Sequence, residues 1–223
     1  MLDQIRIDDK FSLDDYEASM KERSISKPKK KTIKDTVPYS NATYDFTDIN
    51  GEAYWEETQL EYVFEIIADT PEELEEKKRK FLKWIMFVKE AELHDPFIHG
   101  YHFKATYDDI SIDDSEIEKS TITVKFTAYP YMIANIETVY TITAAAGETR
   151  EATLINESAH KIIPTITATA PANIEKDNFS YSIPKGEMYD EAFELKPGDN
   201  VLRVKNNGTE NSTIKISFRA EVM

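Results

Sequence analysis

Apolar and polar residues alternate with period two over most of this chain, and one stretch breaks the pattern with a period near 3.6. Leu60, Tyr62, Phe64 and Ile66 alternate with Glu61, Val63 and Glu65, which predicts a half-buried strand over Gln59–Ile67. Thr70-Pro71-Glu72-Glu73 then reads as a helix start. The Thr70 hydroxyl can accept from the N3 amide, proline suits the first helical position, and Glu73 completes a capping box. Glu72, Glu73, Glu75 and Glu76 precede Lys77, Lys78, Arg79 and Lys80, so the charges complement the helix dipole and form i, i+4 pairs. Leu74, Phe81, Leu82, Ile85 and Val88 share one face. The pattern predicts a single long helix over about 71–88, with that face buried.

Around this helix everything reads as strand. Tyr101, Phe103, Ala105 and Tyr107 alternate with His102, Lys104 and Thr106; an acidic turn from Asp108 to Glu116 follows. Ile122, Val124, Phe126 and Ala128 then alternate with threonines and Lys125, and Pro130 marks the strand's end. Residues 1–50 are irregular, with strand-like pieces from Leu2 to Phe11 and a turn signal at Asn50-Gly51. From Ile133 on, about seven short strands with turn punctuation suggest a β-sandwich. There, Val201–Lys205 and Thr213–Val222 read as a hairpin about Asn206-Asn207-Gly208. The fold class expected is mainly β, in two domains: 1–133, carrying the helix, and 134–223, the sandwich.

Composition narrows the function classes. A net charge of −15, from 27 basic and 42 acidic residues, argues against a protein that gains affinity by neutralising phosphates, and against adsorption to anionic lipid. No apolar run approaches the ~20 residues of a membrane span, and the first residues lack the apolar centre of a secretory signal. The expectation is a soluble protein made in the cytosol, with no membrane insertion and no sequence-specific nucleic-acid binding. Four Asn-x-Ser/Thr matches, at Asn41, Asn156, Asn207 and Asn211, are discounted on that basis. The chain has no cysteine, which removes disulfides and thiolate chemistry.

Candidate chemistry is sparse. The six glycines form no phosphate-cradling loop, and there is no Gly-x-Ser-x-Gly elbow. His94, His99 and His102 match no standard metal spacing and read as loop and strand-edge residues beside the helix C-terminus. Asp113, Asp114 and Glu116 are the paired acids a glycosidase would need, but they lie where a solvated turn is expected. No catalytic residue, cofactor or metal is assigned. The basic cluster Lys27, Lys29, Lys30, Lys31 and Lys34 stands out in so acidic a chain. It reads as a solvated loop, or as a docking point for an acidic neighbouring subunit. Trp55 precedes a strand and is the one candidate for an exposed aromatic platform, whereas Trp84 belongs with the helix core. In the second half a sugar could stack only on Tyr140, Phe179, Tyr181, Tyr189, Phe193 or Phe218.

The ordered set of these pieces resembles the distal tail proteins of long-tailed bacteriophages, the siphovirus tail component family. It runs through Tyr54-Trp55-Glu56, the capped helix ending near Trp84, Asp95-Pro96, Gly100-Tyr101-His102-Phe103-Lys104-Ala105 and Ile122 to Met132. In the second half it continues with Ile163-Pro164-Thr165-Ile166, Leu195-Lys196-Pro197-Gly198-Asp199-Asn200-Val201-Leu202 and Ile216-Ser217-Phe218-Arg219. The resemblance implies a non-enzymatic virion structural protein. Its N-terminal domain would form a homohexameric ring continuing the tail tube, with DNA passing through, and its C-terminal sandwich would be galectin-like. The implied partners are copies of itself, the tail tube protein, and tail-associated lysin, fibre or receptor-binding proteins. The implied location is the virion tail tip, with assembly in the host cytoplasm. No sugar-contacting residue can be matched, and a carbohydrate-binding module directed at the cell wall is the alternative. Lys27, Lys29, Lys30, Lys31, Lys34 and Trp55 are the candidate subunit or partner contacts.

Overall fold

The computed structural model describes residues 3–36, 39, 43–47 and 53–223. The Asn50-Gly51 turn, the Asn41 site and Met1-Leu2 lie outside the described residues. The chain forms two compact units, Met1–Met132 and Ile133–Met223. Among the described residues no helix is long and apolar enough to cross a membrane.

The first unit contains β1 (Arg6–Ile7), β2 (Lys10–Phe11), β3 (Ser19–Ile25), β4 (Lys34–Thr36), β5 (Thr43–Asp45), β6 (Thr58–Ile67), α1 (Pro71–Ile85), β7 (Ala91–His94), β8 (Tyr101–Asp113) and β9 (Lys119–Ala128). Its main sheet runs β2-β1-β7-β8-β9-β6-β3, antiparallel throughout. Strands β6 and β9 keep the expected faces: Leu60, Tyr62, Phe64 and Ile66 are buried with Ile122, Val124, Phe126 and Ala128. Leu74, Phe81 and Ile85 of α1 complete that core, and Leu82, Trp84 and Tyr16 pack against it. Trp84 stacks on Tyr16, with ring centroids 4.4 Å apart.

The helix cap is made as the sequence dictates, with one shift. Thr70 Oγ1 accepts from the Glu73 amide at 3.2 Å, but the Glu73 carboxylate reaches back to the Asp69 amide, one residue before the cap. Glu73–Lys77 and Glu76–Lys80 form i, i+4 pairs, while Glu75 turns to Lys78. The helix ends at Ile85, three residues short of the expected limit. Lys78 interrupts the apolar face and is buried. Its ammonium pairs with Asp114 at 2.8 Å, and Asp114 also accepts from Ser120 Oγ at 2.6 Å, so the helix is tied to the β8–β9 connection. Burial works against the Lys78 charge, but Asp114 and Glu75 outweigh it and hold its pKa above the ordinary value.

Three elements differ from the pattern-based reading. The acidic stretch expected as a turn from Asp108 to Glu116 is strand as far as Asp113, and only 114–118 connect β8 to β9: β8 continues because Ile110 and Ile112 keep pairing with Val124 and Ile122 beyond a bulge at Tyr107/Asp109. His94 lies on β7, a four-residue strand too short to announce itself by alternation. Strand β3 is an edge strand in which Met20 alone is buried, so it carries almost no apolar signal.

After β10 (Met132–Ala134), the second unit contains β11 (Thr138–Ala144), β12 (Thr149–Asn156), β13 (Thr165–Ala168), β14 (Ala172–Lys176), β15 (Phe179–Ile183), β16 (Gly186–Met188), β17 (Gly198–Lys205), β18 (Ser212–Phe218) and β19 (Glu221–Val222). Two four-stranded antiparallel sheets, β11-β18-β13-β16 and β12-β17-β14-β15, share a core of Leu154, Ile166, Ile174, Phe193, Leu202, Val204, Ile214, Ile216 and Phe218. The expected hairpin of β17 and β18 is therefore corrected, since the two strands belong to different sheets. Asn206-Asn207-Gly208 arches between the sheets, and Asn206 is buried there, donating to the carbonyls of Ala144 and Glu210 and accepting from the Gly208 amide. The tight hairpin in this unit joins β14 to β15 instead, with Asp177 and Asn178 both at positive φ.

That hairpin carries a measurable pH signature. The Asp177 carboxylate accepts from Lys176 at 2.7 Å and from Lys196 at 2.9 Å, and these lysines depress its pKa to about 2. A depressed carboxylate pKa contributes stability that is complete above the unfolded value of about 4 and disappears as pH falls through the folded value. Asp177→Asn is expected to lower the thermal midpoint at pH 7, with the gap to wild type closing as pH falls through about 2. Thermal unfolding followed by circular dichroism across that range checks it.

Candidate functional site

Exposed charge and exposed apolar side chains lie together on the segment 27–36 and the described residues that pair with it. Lys30 forms an antiparallel bridge with Trp55, Lys31 donates its amide to the Tyr54 carbonyl at 2.8 Å, and the Lys29 carbonyl accepts from the Glu56 amide at 2.7 Å. Further on, Lys34, Asp35 and Thr36 of β4 pair with Asp45, Tyr44 and Thr43 of β5. The Ile33 amide donates to Thr47 Oγ1 at 3.1 Å, and its carbonyl accepts from the Phe46 amide at 2.8 Å.

The consequence is a two-stranded arm that gathers all the sequence-nominated contact residues. Lys27, Lys29, Lys30, Lys31 and Lys34 are exposed along it and Trp55 is half-buried at its base. The lysines were nominated from their charge; the exposed apolar residues beside them were not. Ile33 is 53% exposed, Tyr44 53% and Tyr54 44%, with Tyr44 and Phe46 stacked at 6.3 Å. Exposed rings beside flexible ammonium groups suit contact with an acidic, partly apolar surface. The sheet pairing supplies the reason these residues meet, since 27–36 and 43–56 carry no clean alternation of their own.

The other nominated groups are placed as follows. Asp113 accepts from the Ser115 amide, Asp114 is held by Lys78 and Ser120, and Glu116 pairs with Lys119 at 2.7 Å. Lys78 and Ser120 lower the Asp114 pKa below the ordinary range, the opposite of what a general acid needs. In the second unit Phe193 and Phe218 are core residues, the Tyr140 hydroxyl bridges the Ile155 backbone, and Tyr181 lies edge-on to Phe193. Phe179 and Tyr189 are exposed. A shallow cavity of about 320 Å³ on that unit's β12-β17-β14 face is lined by Glu151, Glu175, Lys176, Asp177, Asn178, Val201 and Arg203. It offers charges to a ligand and no ring to stack on.

The histidines come together where the spacing gave no hint of it. Glu92 and His94 share one face of β7, and the β7–β8 register, carried one step beyond Leu93↔Phe103, sets His102 opposite His94. Their rings are 5.2 Å apart, and Arg6 of β1, paired with His94 on the other side, donates to His94 Nε2 at 2.6 Å. Burial first, then the Arg6 charge, lowers the His94 pKa. His99 lies in the loop beyond and is exposed.

No protein-family model matches the chain, and no curated protein matches it. Solved structures do. The fold, mainly β in several antiparallel sheets with one helix among the described residues, is shared with a solved bacteriophage protein. The SPP1 Dit protein (gp 19.1), a paradigm of the hub adsorption apparatus in phages that infect Gram-positive bacteria, superposes with a TM-score of 0.72 over 98% of this chain and 99% of its own, at 14% identity. The phage P2 baseplate, in its activated conformation with Ca, is similar at a TM-score of 0.44 and 12% identity over 99% of both chains.

Proposed function

We propose that this protein is a virion structural protein, the distal tail hub of a siphovirus or related tail. Its first unit assembles into a hexameric ring that joins the tail tube to the tail-tip or baseplate proteins that recognise the host, and DNA passes through the ring. The observation that carries this reading is the end-to-end likeness of fold to SPP1 Dit, with both units included. The partners are further copies of the chain, the tail tube protein, and tail-associated lysin, fibre or receptor-binding proteins; the location is the virion tail tip after assembly in the host cytoplasm. The galectin-like character of the second unit belongs to the same proposal.

The basic arm supports it physically. A ring closes by heterologous contact, in which one patch meets a different patch on the next copy. An arm carrying five lysines and exposed Ile33, Tyr44 and Tyr54 is such a patch, and a chain of net charge −15 supplies acidic surface to receive it. Light scattering on the purified chain is expected to give a species six times the chain mass at high concentration. Replacing Lys29, Lys30 and Lys31 together by glutamate is expected to return it to monomer without loss of secondary structure. A wild-type chain that stays monomeric both alone and with its tail tube protein would sink the ring. The glycan-binding alternative gains nothing from the charged, ring-free cavity on the second unit.

A further inference from the structure

We propose that Glu92, His94 and His102 form a binding site for a divalent transition-metal ion such as Zn²⁺, on the face of the main sheet opposite its core. The ligand-capable atoms of these three side chains all lie within 4.8 Å of one another. His94 Nε2 is 3.7 Å from Glu92 Oε2, and His102 Nε2 is 3.9 Å from Glu92 Oε1. Ligands about 2.0–2.1 Å from a tetrahedral ion stand about 3.3 Å apart, so the site needs a contraction of roughly 0.5–1.5 Å. Glu92 is the exposed member, with its side chain 55% accessible, and it is free to rotate inward; the two histidines are held at 15% and 4%.

The sheet explains why the three converge. Residues i and i+2 of a strand share a face, and residues opposed across an antiparallel pair are nearest neighbours. Glu92-Leu93-His94 therefore puts a carboxylate and an imidazole on one face while Leu93 faces the core, and β8 delivers the second imidazole directly across. Two imidazoles and a carboxylate are the donor set of many zinc and non-haem iron sites, with one or more positions left for water.

His94 already presents the required lone pair. A guanidinium can only donate, so the 2.6 Å contact from Arg6 means that His94 Nε2 accepts and carries no proton. Arg6 is the metal's competitor: it occupies the lone pair and adds a positive charge beside the ion. Lys104, opposite Glu92, is drawn off to Glu90 at 3.2 Å and does not take the Glu92 carboxylate from the site. A bound ion would cross-link β7 to β8 in a chain that has no cysteine for a disulfide.

The test uses the untagged full chain with Co²⁺ or Zn²⁺ as the only added ion. Titration with CoCl2 is expected to give one ion per chain and visible d–d absorption. Glu92→Gln, an exposed change that leaves the core intact, is expected to weaken uptake at least 10-fold; His94→Gln abolishes it; Arg6→Gln tightens it about 10-fold by removing the competitor. Zn²⁺ is expected to raise the urea midpoint of the wild type, read by tryptophan fluorescence, and to leave Glu92→Gln unmoved. Failure of both wild type and Arg6→Gln to take up an ion overturns the proposal. So does uptake unchanged by His94→Gln, which would place the ion at His99 or His160. Neither result depends on whether the chain forms a ring.

Discussion

Replacing Phe81 by alanine is expected to cost about 3–5 kcal/mol and to remove much of the first unit's stability. Phe81 is wholly buried at the middle of the helix's inner face. Its ring meets Phe64 of β6 edge-on at 5.1 Å, Trp84 at 5.9 Å and Tyr16 at 6.5 Å, so it joins helix, sheet and the β2–β3 connection. Truncation loses the transfer free energy of the ring and leaves a cavity that rigid neighbours fill only in part. Domains of this size are stable by roughly 5–15 kcal/mol, so the loss brings the unit near its limit. Both tryptophans lie in the first unit, which makes fluorescence a private reporter of it. Urea unfolding followed that way is expected to show a strongly lowered midpoint, while Leu74→Ala, near the helix start, shifts it less. An unchanged midpoint would mean that the helix does not anchor the sheet.

The second large effect is expected at Asp95, a carboxylate with no exposed side-chain surface. Its Oδ1 accepts from Arg23 Nη1 at 2.6 Å and from the Phe97 amide at 2.8 Å, and its Oδ2 accepts from the Tyr62 hydroxyl at 3.0 Å. The Arg23 guanidinium in turn lies 4.4 Å over the Phe97 ring. One side chain thus fastens the edge strand β3, its neighbour β6 and the turn after β7. Asp95→Ala leaves a buried tyrosine hydroxyl without its acceptor and an arginine without its counter-ion, at a cost of about 3 kcal/mol. Arg23 is one-third exposed, so water recovers part of its loss and keeps the figure below that of a fully buried pair. Tyr62→Phe removes a single hydrogen bond and is expected to cost about 1 kcal/mol in the same urea assay. A cost for Asp95→Ala no larger than that would refute the shared anchor.

Tyr62 adds an alkaline signature to this network. Burial first, then the Asp95 charge, push its pKa well above the ordinary tyrosine value. The unfolded chain ionises this tyrosine from about pH 10 while the folded chain keeps it neutral, so the unit loses stability as pH rises past that point. Tyr62→Phe is expected to flatten that part of the profile.

What the sequence determined by itself was local: where an element begins and which of its residues face inward. The Thr70 cap, the inner face of α1, and the alternation of β6 and β9 follow from hydrogen-bonding chemistry and side-chain period. These act within a few residues and need no partner to be read. The lysines of the arm were legible too, since charge is a property of composition. Partners were a different matter. A period-two pattern reports the face of a strand and says nothing of its neighbour, so the alternation of β17 and β18 fits a hairpin as well as the arch between two sheets that the buried Asn206 supports. The same reason hid the meeting of Arg6, Glu92, His94 and His102, drawn from three strands up to 96 residues apart in the chain and joined by register alone. Only the tertiary structure decided these, because long-range pairing depends on which strand edges remain open once every element has buried its apolar side.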